Sequence, residues 1–171
     1  CLKQQGFGGG EIGLEGHSGM PGEAMKAALD ERGLKPIAAH ASLDCILEQT
    51  EKTVAEAKRF GLRYVGVAWA PHQKPLDEQQ VLKIADGFNQ AGKLLKEHGI
   101  QFFYHNHGFE FVPHQDGTLF DLLVRKTDPD LVKFEMDVLW TIHPGQDPVA
   151  LLRKYPNRWA LMHLKDLRKG V

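Results

Sequence analysis

The chain has 171 residues, 42% hydrophobic and 25% charged, with a formal net charge of −1. That is enough for a real core, with too little net charge to draw the chain toward nucleic acid or an anionic membrane. No apolar run approaches the ~20 residues that span a bilayer, and Cys1 and Cys45 cannot form a disulfide framework, so a reducing, cytoplasmic setting without a visible signal peptide is expected.

Short apolar runs alternate with longer amphipathic stretches. Residues 1–7 read as the tail of a helix ending near Gly6, and residues 11–15 (EIGLE) as a short strand. A helix over 21–32 stops at Gly33. Residues 36–41 (PIAAHA) form a buried strand, and Ser42 caps a helix running to Phe60 and ending at Gly61. Residues 63–69 (RYVGVAW) are the next strand. Asp77 then opens a long helix, with Gln80 placed for a capping box and Val81, Ile84, Ala85, Phe88, Ala91 and Leu95 at helical spacing. After Gly99, residues 101–107 (QFFYHNH) are a strand, followed by a loop with Glu110 and a short helix over 118–126. Residues 131–138 (LVKFEMDV) are a strand, Asp147 and Pro148 start another helix, and residues 159–165 (WALMHLK) are the last strand.

Six strands separated by helices argue for a parallel sheet with right-handed crossovers. The glycine-rich run at 6–10 precedes its strand, which weakens a nucleotide-binding reading. His40, Trp69, His105, His107, Asp137, His163 and Lys165 fall at or near the C-terminal ends of strands. In a closed barrel those ends converge on one mouth, where the active site sits.

Side chains alternate across a strand, so His105 and His107 share a face, as do Glu135 with Asp137 and His163 with Lys165. If these faces line the mouth, neighbouring strands bring imidazoles, carboxylates and a lysine to one cavity. Such donors suit a divalent cation able to polarise a carbonyl-hydroxyl pair, and the lysine can offset negative charge developing on oxygen. Each group has a bland reading too. The histidines can be buried and bonded to backbone, Asp137 can be a cap, Lys165 a solvated strand end, and Glu110 a loop charge. His40 and Trp69 can be core, although at the mouth Trp69 would offer a flat apolar wall. Glu11 and Glu15 read as surface carboxylates, and His72 and His98 as surface. His143 is a rim residue, while His17 and His114 lack convergent partners.

YHNHGFEF (104–111), EMDVLW (135–140) and LMHLKD (161–166), together with GGEIGLEG and LKPIAAHAS upstream, resemble the sugar phosphate isomerase/epimerase family of xylose isomerase-like TIM barrels, in a subgroup with HNHxFEF. The resemblance implies a single α/β domain over 1–171. This would be an incomplete (β/α)8 TIM barrel with strands 2 to 7 present and the first and eighth missing, its two open sheet edges inviting a homo-oligomer. It implies one divalent metal ion (Mn²⁺, Co²⁺, Zn²⁺ or Mg²⁺) on Asp137, His163 and either His105 or Glu110. Glu110, Glu135 and Lys165 are the catalytic candidates, with His40, Trp69 and His107 toward the substrate. The implied partner is a small-molecule sugar, with no nucleic acid and no membrane. The leading expectation is a keto-sugar isomerase or epimerase working through an enediolate. The alternatives are a lyase or dehydratase on an oxidised sugar or cyclitol, and a non-catalytic barrel fragment.

Overall fold

Runs of four to six residues, too short for core helices, pair into the central sheet. A computed structural model describes residues 2–14 and 19–166. Its sheet takes up β1 (Gly9–Gly13), β2 (Lys35–His40), β3 (Tyr64–Val67), β4 (Gln101–His105), β7 (Val132–Asp137) and β8 (Trp159–His163), in that order and all parallel. A two-stranded hairpin, β5 (Pro113–His114) with β6 (Gly117–Thr118), interrupts the connection after β4. The helices are α1 (Gly22–Glu31), α2 (Leu43–Glu48), α3 (Thr50–Arg59), α4 (Glu78–Lys96), α5 (Leu119–Lys126), α6 (Val138–Ile142) and α7 (Pro148–Lys154). The expected partial barrel is therefore what forms: six parallel strands with helices between them. Among the described residues, no helix is long and apolar enough to cross a membrane. Glu15, His17 and Cys1 lie outside the described residues.

Alternation sorts each strand into two layers. Phe102 and Tyr104 point outward onto Phe88 of α4, with ring centroids 5.2 and 4.8 Å away. Phe134 packs outward on Phe120 of α5. Phe103, His105, Glu135 and Asp137, on the opposite parity, face the interior. At Gly66 in β3 a Cβ would lie 2.3 Å from the Phe103 carbonyl oxygen, so only glycine lets the neighbouring strand approach.

Several sequence expectations change in detail. The single helix expected over 43–60 is two, because Gln49 leaves helical geometry at φ −126, ψ 41. The hydroxyls of Thr50 and Thr53 there donate to the carbonyls of Ile46 (2.7 Å) and Cys45 (3.1 Å), competing with the backbone ladder. The Gln80 capping box is half made. Asp77 accepts from the Gln80 backbone at 2.8 Å, but the Gln80 side chain reaches Gln73 and Pro75 instead. The complete capping box is at α5, between Thr118 and Asp121.

Candidate metal centre

His40, His105, Asp137 and His163 each end a strand, and Glu11 and Glu135 each lie two residues before the end of theirs. Two register slips aim them. Between β7 and β8 the pairs run Phe134↔Trp159 then Glu135↔Leu161, so β8 carries an extra residue at Ala160. Trp159 stacks outward on Phe120, centroids 5.7 Å apart. Without the slip, parity would turn His163 outward with it; with the slip, His163 faces the interior. A matching slip between β1 and β2 skips Ile37 and leaves it exposed.

Three groups of residues bring donor atoms within 4.8 Å of one another: His105, Asp137 and His163; His40, His105 and Glu135; and Glu11, Glu135 and His163. Glu135 is the hub. Its Oε2 lies 2.8 Å from His105 Nδ1 and 3.3 Å from His40 Nε2, and its Oε1 lies 3.3 Å from His163 Nε2. His105 Nε2 is 3.3 Å from Asp137 Oδ2, and the Lys165 ammonium is 2.6 Å from that same oxygen. His163 Nε2 meets Glu11 Oε2 at 2.5 Å.

Asp137 is both cap and cavity residue. Oδ1 accepts from the backbone of Trp140 at 3.1 Å at the start of α6, which fixes the carboxylate and leaves Oδ2 toward His105 and Lys165. Asn106 locks the same corner: its Oδ1 accepts from the Asp137 backbone at 3.0 Å and its amide donates to Thr141 at 3.3 Å.

The electrostatics are those of a shared carboxylate pair. Burial alone would raise Glu135, but hydrogen bonds from His105 and His40 and the nearby His163 outweigh it and hold Glu135 at about 2. Burial, and then the charge of Glu135, raise Glu11. Burial and the neighbouring His105 bring His107 down to about 4. Two carboxyl groups whose proton affinities are pushed in opposite directions thus sit side by side beneath the imidazoles. The donor set fits a cation. It mixes nitrogen and oxygen ligands, His105, Glu135 and Asp137 are buried while His40, His163 and Glu11 are half-buried, and Nδ1 of His163 is buried without a hydrogen-bond partner.

Two expectations need correction. Glu110, a candidate base and an alternative ligand, does not reach this cavity. Its oxygens accept from the His107 backbone at 3.0 and 3.1 Å and from the hydroxyl of Tyr104, whose ring lies on the helix side of β4. Burial raises Glu110 to about 7. His107 does not share β4 with His105, because the strand ends at His105 and His107 lies in the following loop. Its ring still lies 4.9 Å from that of His105. His72, read as surface, stacks on Phe109 at 4.1 Å. The exposed Trp69 ring stands 5.0 Å from that of His107.

Sequence reasoning took Glu11 for a surface carboxylate, which the structure corrects, and passed over Asn106. The partner of Glu11 is His163, 152 residues away, so no local pattern marks it. Asn106 did carry a signal, an amide between two histidines.

A family model for the xylose isomerase-like TIM barrel matches residues 2–171. An inosose dehydratase of Clostridium perfringens is 31% identical across 99% of this chain and 63% of its own length. One from Clostridium tetani is 39% identical over 100 residues, 58% of this chain and 33% of that protein. The crystal structure of a sugar phosphate isomerase/epimerase from Parabacteroides distasonis superposes with a TM-score of 0.84 at 28% identity, covering 96% of this chain and 70% of that one. The chain thus spans less than two thirds of the length of these curated relatives. With a family match over almost its whole length and a six-stranded parallel sheet of the corresponding architecture, the chain belongs to the xylose isomerase-like TIM barrel family.

Proposed function

We propose that this chain carries the metal centre of a lyase that removes water from an oxidised cyclitol or sugar. The observation that carries the reading is the convergence of His105, Asp137 and His163 within 4.8 Å at the strand ends. The likeness to inosose dehydratases moves water loss ahead of the isomerisation or epimerisation expected from sequence.

His105, Asp137 and His163 would hold the divalent cation, which when bound supplies Lewis acidity at a carbonyl and its adjacent hydroxyl. Glu135 accepts from His105 Nδ1, which leaves His105 Nε2 as the donor facing Asp137. The Lys165 ammonium, beside Asp137, opposes negative charge developing on the substrate oxygen. One carboxylate of the Glu11–Glu135 pair takes the proton from the carbon next to the carbonyl, giving the enediolate. The pair, now carrying that proton, delivers it to the hydroxyl on the next carbon, which departs as water and leaves an unsaturated ketone. His40 contributes through its contact with Glu135.

A second reading, epimerisation through the same enediolate, draws on the likeness to the Parabacteroides enzyme. Mass spectrometry of inosose and a panel of keto sugars incubated in D₂O with Mn²⁺, Co²⁺, Zn²⁺ or Mg²⁺ separates the two. Loss of one water supports the lyase. Deuterium uptake at unchanged composition supports the epimerase instead. Metal binding that survives both Asp137→Asn and His163→Ala overturns the site itself.

A further inference from the structure

The wall of the mouth beside the cation ligands is aromatic and open. Trp69, just after β3, is 49% exposed, and Trp140, in α6, is 37% exposed. The His107 ring joins them to the centre. It lies 4.9 Å from His105, 5.0 Å from Trp69 and 5.8 Å from Trp140. The wall is braced. Trp69 leans on Phe109 at 4.9 Å, Phe109 stacks on His72 at 4.1 Å, and Glu110 pins the His107 backbone. At the junction, His107 Nδ1 is buried without a hydrogen-bond partner.

A single polyol ring at the centre would spend its contacts on His105, Asp137, His163 and Lys165, all polar. Among the described residues, the ring contacts of both indoles reach the centre through His107 and not through the ligands themselves, and open aromatic surface beside a polar site marks a ligand site. We propose that this wall is a second-ring subsite and that the substrate is a glycoside. Its oxidised ring lies at the cation ligands, and the apolar face of the attached ring lies on Trp69 and Trp140. Alternate faces of a pyranose, and both faces of an aryl group, offer the C–H or π surface that an indole takes up. His107 Nδ1, when it carries the ring proton, donates to the oxygen joining the two rings. The proposal rests on reading the three ligands as the reacting centre.

Calorimetric titration of the full chain with phenyl β-glucopyranoside, cellobiose and methyl β-glucopyranoside tests this without turnover. The two-ring ligands are expected to bind about tenfold more tightly than the methyl glycoside, the order of one stacked ring pair. Trp69→Ala should abolish that preference, Trp140→Ala should reduce it, and Trp69→Phe should retain most of it. Equal affinity for all three ligands, or a preference that persists in both alanine variants, overturns the subsite. Because no chemistry is read, a chain that prefers two rings but releases no water from inosose loses only the lyase reading. One that dehydrates inosose without the preference loses only the subsite.

Discussion

Two buried glutamates close to the cavity make opposite predictions. Glu135 accepts from His105 Nδ1 at 2.8 Å and so fixes which ring nitrogen points toward Asp137. Replacing such an orienting carboxylate typically weakens metal binding 10- to 100-fold, so Glu135→Gln should lower Zn²⁺ affinity by about that factor in equilibrium dialysis. An unchanged dissociation constant would mean that Glu135 does not orient His105. Glu110 holds the Tyr104 hydroxyl and the His107 backbone rather than the cavity. Glu110→Ala should therefore cost about 2–3 kcal/mol in urea unfolding, from two buried groups left unpaired, while Zn²⁺ affinity stays within about twofold. A large loss of affinity at undiminished stability would return Glu110 to the ligand set. The sequence separates these two residues only in part. Glu135 shares strand parity with Asp137, which alternation makes visible. Glu110 sits between two phenylalanines, a pattern that reports burial but not which side of the sheet it is buried on.

At the scale of elements, α5 is tied to α7 through one carboxylate. Asp121 closes the capping box with Thr118 and also accepts from the Tyr155 hydroxyl at 2.5 Å and Lys154 at 2.9 Å. Burial would raise Asp121, but the hydrogen bonds from Tyr155, Lys154 and Thr118 prevail and bring it below the ordinary aspartate range. A carboxyl lowered on folding stabilises fully above its unfolded value, and the contribution disappears as pH falls through the folded one. Asp121→Asn is thus expected to cost about 2 kcal/mol at pH 7, with the gap to the unaltered chain narrowing below about pH 4. Denaturant titrations at both pH values check this, and a gap independent of pH would count against the ionised carboxylate as its source. The elements themselves were legible, because apolar period, caps and terminal glycines agree along most of the chain. The extra residue at Ala160 was not. It leaves no periodic trace in WALMH, yet it decides that His163 faces inward.

Over the whole molecule, the cavity belongs to no single segment. Its side chains come from β1, β2, β4, β7 and β8, and the sheet curls far enough for Glu11 on its first strand to meet His163 on its last. Unfolding scatters these donors, so a cation held by them binds the folded state in preference and stabilises it by mass action. At 100 times the dissociation constant that linkage is worth about 2.7 kcal/mol. For a chain of this size it corresponds to a rise in Tm of about 5–10 °C. Thermal melts across a Zn²⁺ titration should show this rise and lose it on adding EDTA. Asp137→Asn and His163→Ala should each flatten the response. An equal rise in both variants would mean that the cation binds elsewhere, for instance at surface carboxylates. Because the effect depends on groups brought together from β4, β7 and β8, it reads the register of those strands as directly as it reads the ligands.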